Sequence, residues 1–261
     1  HAHAAHRCTS SVRASLVFLP GFDVSIKPGA EQTLDEAEVR VLEIQTKLHR
    51  WALDGPDRRF HDLYNLVWNP AVLLVAWHRV RSNRGARSAG IDGLRPKDLP
   101  PGQSLFLFKL HLELRARVFQ PLPVRQRRIP KPNGKTRALG IPTAKDRIVQ
   151  AALKLILEPV FEADFKPCSC GFRPGRRAQD AIAEIHLMAS NSYEWVLEGD
   201  ITACFDEIDH TALMDRVRRR IADKRVLALV KAFLKAGSSQ KTTSSATPAP
   251  AHRKAASSLR F

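Results

Sequence analysis

The sequence predicts an α+β chain in which helices predominate, and three observations carry that reading. Apolar residues recur at helical spacing in four stretches before residue 120. Two β-capable runs flank Asn133-Gly134, a dipeptide that accepts the positive φ angles of a tight reversal. A short apolar run from Trp195 to Ile201 reads as a further strand.

Residues 1–30 show no sustained period and are expected to be poorly ordered. The run Ala14–Phe22 follows two arginines like a weak signal sequence, yet it is short, broken by Pro20-Gly21, and followed by no cleavage site. A first helix starts at Leu34, with Thr33 and Glu36 as a capping box and Leu34, Val39, Leu42, Ile44 and Leu48 on a broad face. A second is expected from Pro56-Asp57 through Phe60, Leu63, Tyr64 and Val67. A third starts at Pro70, the favoured first helical residue, and runs to Val80. The glycine-rich stretch 83–93 reads as a loop, and a fourth helix fits Leu105 to Phe119.

The hairpin spans Val124 to Ile141. Thr143 then caps an apolar-striped helix that Pro159 bends or ends. Residues 171–176 (GFRPGR) form a rigid basic turn before a helix from Ala178 to about Met188. After the expected strand, helices start at Asp209 and Asp223, the second stopped by Gly237. The tail from Ser238 to Phe261, rich in Ser, Thr, Ala and Pro, has no packable period and is expected to be disordered.

A formal charge of +16 and a pI near 10.3 point to a polyanionic partner. The charge is clustered: Arg115 to Arg147 holds ten Lys/Arg against one acid, Asp146, and no acid follows Asp223. No apolar run approaches the ~20 residues needed to span a bilayer, and a cytoplasmic location is expected. Cys168 and Cys170 have no second pair at zinc-site spacing, so reduced thiols are expected, and His1, His3 and His6 read as a disordered terminus. The first methionine is Met188, which points to a start upstream or to a partial or damaged reading frame.

The stretch 196–210 (VLEGDITACFDEIDH) carries the chemistry. A lone carboxylate at a strand end beside a glycine, Asp200, is where a metal-dependent phosphoryl-transfer site places its first ligand, and oxygen ligands suit Mg²⁺. Asp200 could instead cap a turn, and Phe205 could be core. Arg173 could make an internal ion pair with Glu162 or Asp164. Asp206 and Asp209 read as turn and cap residues.

The order RIPKPNGKTRALGIPTAKDRIVQ (128–150), SCGFRPGR (169–176) and EGDITACFDEIDH (198–210) resembles bacterial group II intron reverse transcriptases, the intron-encoded maturases. The loop ending SAGIDG (88–93) resembles their N-terminal extension. The resemblance implies a right-hand polymerase fold: disordered 1–30, a helical extension over 31–119, fingers over 120–194, a partial palm over 195–237 and a disordered tail over 238–261. It implies Asp200 as catalytic carboxylate and metal ligand, with the Ile201 backbone carbonyl as a second metal contact. Lys131, Arg137 and, as helper, Lys135 meet the triphosphate of a dNTP. Phe205 lies under the incoming sugar and excludes a 2′-hydroxyl. Arg128, Arg173 and Arg176 contact the RNA template or DNA primer. Phosphoryl transfer of this kind needs positive charge at the triphosphate and oxygen ligands for two Mg²⁺ about 4 Å apart.

The family's later palm hairpin brings adjacent aspartates, and this sequence contains no Asp-Asp pair. The thumb and the maturase region are expected to be missing, the tail reads like an out-of-frame extension, and the chain alone is expected not to polymerise DNA. The expected function is RNA-directed DNA synthesis with intron RNA binding and splicing assistance. The alternatives are a non-catalytic RNA-binding module and a decayed gene product.

Overall fold

A computed structural model of the chain describes residues 33–99, 105–130, 134, 136–201 and 203–239. The disorder expected for 1–30 and for 240–261, and the hairpin-tip residues Lys131 and Lys135, lie outside the described residues.

Helix α1, Leu34–Asp54, opens on the predicted capping box. Thr33 Oγ1 accepts from the Glu36 amide at 3.3 Å and the Glu36 carboxylate accepts from the Thr33 amide at 3.0 Å. The buried stripe is Ala37, Val41, Ile44, Leu48 and Ala52. Val39 and Leu42, expected on that face, are 59% and 63% exposed. A 3.6-residue period fixes one stripe, and the small Ala37 and Ala52 complete it in place of the larger Val39 and Leu42.

The helix expected from Pro56 forms only as one turn, α2, Tyr64–Val67. Upstream, the Phe60 backbone pairs across the chain: its amide donates to the Arg220 carbonyl at 2.8 Å and its carbonyl accepts from Ala222 at 2.8 Å. A residue engaged in that bridge cannot also take helical bonds. The Asp223 carboxylate then accepts from the amides of Leu63 and Tyr64 at 3.0 and 2.9 Å, and helix begins only there.

Helix α3, Pro70–Ser82, starts as predicted, with Asn69 accepting from the Ala71 amide. It is buried through Ala71–Trp77, as a central helix must be. Helix α4, Leu105–Arg115, stops four residues before the expected Phe119. Arg117 takes a left-handed conformation (φ 61°), turning the chain so that Phe119 packs on Phe233 with ring centroids 6.0 Å apart.

Strands β1, Val124–Pro130, and β2, Thr136–Ile141, form the predicted antiparallel hairpin, with Gly134 at φ +75° near its tip. Helix α5, Ala144–Glu162, is capped by Thr143 as expected. Pro159 does not end it: the helix continues for three more residues. Helices α1, α3 and α5 pack together as the main core.

Helix α6, Ala178–Ser190, forms as predicted, but none of its residues is buried. The strand expected over Trp195–Ile201 does not form. A strand exists only through its partner, and no described strand lies beside this run, which leaves Trp195 and Leu197 each 98% exposed.

Helices α7, His210–Arg220, and α8, Lys224–Lys235, are capped by Asp209 and Asp223. Their apolar residues, among them Met214, Val226, Val230 and Phe233, join the same core as α1, α3 and α5. Gly237 (φ +69°) ends the last helix, as expected. Ser238 and Ser239, expected to be disordered, instead form β3, parallel to Val124 and Arg125, giving a sheet of order β2-β1-β3. The Val124 amide donates to the Gly237 carbonyl at 3.0 Å, which holds that end against the hairpin. The chain is thus helix-rich with one small sheet. Among the described residues no helix is long and apolar enough to cross a membrane.

Candidate nucleic-acid interface

The hairpin is anchored at its base and free beyond it. Val124 and Ile141 are buried, whereas Arg127, Arg128, Arg137 and Leu139 are exposed. The register pairs Arg128 with Ala138 and Ile129 with Arg137. Directly opposite residues share a face and successive residues alternate. Arg128 and Arg137 therefore stand on opposite faces of the same ribbon.

Sequence reasoning missed the residues that hold that base. Arg147, one turn into α5, spends its guanidinium on main-chain carbonyls: Pro142 at 3.0 Å, Gly85 at 2.7 Å and Ser88 at 2.8 Å. Burial lowers its pKa, with Asp92 opposing that shift and Arg125 adding to it. Gly90, in the SAGIDG loop, lies against the start of α5 so closely that an added Cβ would sit 2.6 Å from Thr143 Cα. The loop at 83–93 is thus clamped to the hairpin's base. Asp146 completes the joint, accepting from the Thr143 hydroxyl at 2.7 Å and the Leu122 amide at 3.3 Å. Burial raises its pKa, and the Thr143 hydroxyl bond works against that rise. The available signal was a cation and an acid at the start of an otherwise apolar-striped helix.

The basic turn at 171–176 faces two ways. Arg173 takes the internal pair that the sequence left open: its guanidinium lies 2.6 Å from Glu162 and also donates to the carbonyls of Lys166 and Ser169. Its side chain is only 8% exposed. Arg176 is exposed and forms no ion pair with a described carboxylate.

Asp200, Ile201 and Phe205 lie together on the exposed stretch between α6 and α7. Ile201 is 73% exposed and Phe205 47% exposed, so Phe205 is not core. Ala203 (φ 52°) turns the chain, its carbonyl accepting from the amides of Asp206 and Glu207. Asp209 caps α7 at 2.7 Å from the Ala212 amide. The donor chemistry of Asp200 and the Ile201 carbonyl suits a hard divalent cation. The count falls short: among the described residues no three His, Cys, Asp or Glu side chains gather as a metal-holding group. The hairpin, the basic turn and the Asp200 segment are three separate pieces, with no hydrogen bond or ion pair joining them among the described residues.

Comparison with known proteins adds the family context. Residues 129–252 match the family model described as reverse transcriptase (RNA-dependent DNA polymerase). Protein YkfC of Escherichia coli K12 is 41% identical over 201 residues, covering 76% of this chain and 53% of YkfC. Group II intron-encoded protein LtrA of Lactococcus lactis subsp. cremoris is 34% identical over 200 residues, covering 74% of this chain and 32% of LtrA. Nuclear intron maturase 1, mitochondrial, of Arabidopsis thaliana is 37% identical over 94 residues, covering 36% of this chain and 13% of that protein. The chain spans about half the length of YkfC and a third of LtrA.

Proposed function

We infer the function of this chain from the family to which it belongs, the group II intron reverse transcriptases and maturases. The activity proposed for the whole protein is RNA-directed DNA synthesis, joined to binding of intron RNA and assistance with its splicing. In this reading residues 31–119 are the N-terminal extension, 120–194 the fingers and 195–237 part of the palm. The setting is the cytoplasm.

The observation that carries the proposal is the hairpin: a ribbon fixed at its base and displaying arginines that pair with no described carboxylate. Phosphoryl transfer asks little covalent chemistry of the protein and much positioning charge. Arg137, with Lys131 and Lys135, meets the triphosphate of the incoming dNTP. Arg128 and Arg176 take RNA or primer phosphates, contacts that position a strand without reading its sequence. Arg173, through Glu162, stiffens the turn that presents Arg176. Phe205 lies beneath the incoming sugar, where its ring leaves no room for a 2′-hydroxyl. Mg²⁺, when bound, neutralises charge that develops on the phosphates. Asp200 and the Ile201 carbonyl would be two of its oxygen ligands and make only part of a shell.

A non-catalytic RNA-binding module is the second reading, favoured by the exposure of the Asp200 segment and by the lack, among the described residues, of a three-ligand group that could hold a metal. Two measurements on the purified chain separate them. RNA affinity should fall steeply and linearly with log salt as phosphate counterions are released. Primer extension with Mg²⁺ should be absent, because one carboxylate does not hold a two-ion site. No retention of RNA at low salt removes both readings, and extension that depends on Asp200 establishes the catalytic one for this chain.

A further inference from the structure

The hairpin arginines differ from several cations of the packed body in what surrounds them. Several within the packed body have acidic partners, Arg173 with Glu162, Arg220 with Asp164, Arg225 with Asp223 and Lys145 with Glu113, while Arg147 is held by main-chain carbonyls. The hairpin arginines 125, 127, 128 and 137 form no ion pair with a described carboxylate.

The register sorts these four further. Arg125 stands opposite Ile141, Arg127 opposite Leu139, and Ile129 opposite Arg137. Arg125, Arg127 and Arg137 therefore share one face, while Arg128 stands on the other with Ala138. Arg127 and Arg137 are diagonal neighbours, about 7–8 Å apart and within reach of long side chains. From Arg125 to the level of Arg137 is four residues, about 13 Å along the strand. Ile129 and the 38% exposed Leu139 lie between the cations. Arg125 Nε is buried without a hydrogen-bond partner, and the Arg147 guanidinium is close enough to feel its charge.

A row of like charges with no described acid in contact is self-repelling, and an anion laid along it relieves that repulsion. A triphosphate is compact and suits a cluster at one end. A row about 13 Å long with apolar side chains between the cations suits a strand whose phosphates and sugars alternate. We propose that Arg127 is a phosphate-binding residue for a single RNA strand, which crosses the hairpin on the face it shares with Arg137, with Arg125 extending the row toward the hairpin base. This rests on the reading of the hairpin as an RNA- and nucleotide-facing element. It goes further by setting Arg127 above Arg128 on grounds of register.

The test compares Arg127→Ala, Arg125→Ala, Arg128→Ala and Lys231→Ala in the full chain. The last removes an exposed cation of α8 that is not part of the hairpin. The probes are a labelled single-stranded RNA across a salt series and a labelled deoxynucleoside triphosphate. Arg127→Ala should weaken RNA binding roughly threefold to tenfold and make the log–log salt slope shallower by about 0.7, the value of one single-strand contact. Arg125→Ala should act in the same direction, Arg128→Ala should cost less than Arg127→Ala, and Lys231→Ala should leave binding unchanged. If Arg128→Ala costs as much as Arg127→Ala, the register argument is overturned while the RNA-binding reading stands. If Arg127→Ala weakens triphosphate binding and spares RNA, the residue belongs to the nucleotide and the proposal fails. If the unsubstituted chain holds no RNA at low salt, both the proposal and the reading beneath it fall.

Discussion

Gln45 on α1 donates its side-chain amide to the main-chain carbonyl of Leu155 on α5 at 2.9 Å. Leu155 lies four residues before Pro159, so its carbonyl is the one that the proline, lacking an N–H, cannot serve. One turn along α1, His49 Nδ1 lies 3.0 Å from the Pro159 carbonyl itself. The proline inside α5 and the two polar residues on α1 thus form one joint between the helices. Gln45→Ala should lower stability by about 1–2 kcal/mol, the cost of leaving a part-buried carbonyl unpaired. Pro159→Ala gives Leu155 an intrahelical donor, so Gln45→Ala should cost less in that background. Denaturant midpoints of the two single variants and the double test this, and strictly additive effects would show that the joint does not exist.

The SAGIDG loop makes a second expectation. The three atoms nearest a Cβ on Gly90 would all be backbone: Thr143 Cα at 2.6 Å, Thr143 N at 2.8 Å and the Pro142 carbonyl at 2.9 Å. None of these can swing aside like a side-chain end. Gly90→Ala should cost about 2–3 kcal/mol or lift the loop from the hairpin base, breaking the Arg147 bonds to Gly85 and Ser88. Gly93 has open space around it but a φ of +72°, so Gly93→Ala should cost only about 1 kcal/mol. Hydrogen exchange across 84–92 distinguishes the two, and equal protection in both variants would refute the clamp.

Local signals were the legible part of this chain. The Thr33 capping box, Pro70 at the head of α3, the Asn133-Gly134 hairpin, the Thr143 cap and the Gly237 stop all depend on residues within one turn of each other, and all are present. What escaped depends on distant partners. Phe60 leaves its expected helix because Arg220 and Ala222, some 160 residues on, take its backbone bonds. Trp195–Ile201 has strand-like composition but no described strand to pair with. At the candidate site the residue types were readable, whereas the sorting of Arg128 from Arg137, and the inward turn of Arg173, needed register and burial.

Arg173 and Arg176 should separate in experiment although they share one turn. Arg173 is 8% exposed and its partner Glu162 is 19% exposed, so Arg173→Ala leaves a carboxylate with little water to replace the lost cation. A loss of about 2–3 kcal/mol of stability follows, below the range for a fully buried pair because Glu162 keeps some solvent. Arg176→Ala should leave the unfolding midpoint unchanged and weaken RNA binding. The measurement is stability and RNA affinity on the same preparations. If Arg173→Ala weakens RNA binding with no change in stability, its inward placement does not describe its role.

Acid should loosen the seam between α8 and the start of α2. Asp223 is buried there, and burial alone pushes its pKa up. Hydrogen bonds from the Arg225 guanidinium and from the Tyr64 and Arg225 amides overcome that push and hold the value at about 2. Its ordinary value in an unfolded chain is about 3.9. A carboxyl depressed in the folded state binds more protons when unfolded, so its contribution is fully present above pH 4 and is lost as pH falls from about 4 toward 2. Asp146, raised by burial, works in the opposite direction, favouring the folded state on the acid side of its transition. Asp223→Asn should therefore lower stability at pH 7 and flatten the acid limb between pH 4 and 2. Unfolding curves of the two proteins across that window decide the point. An Asp223→Asn variant that keeps the parent's acid limb would mean that another carboxylate sets it.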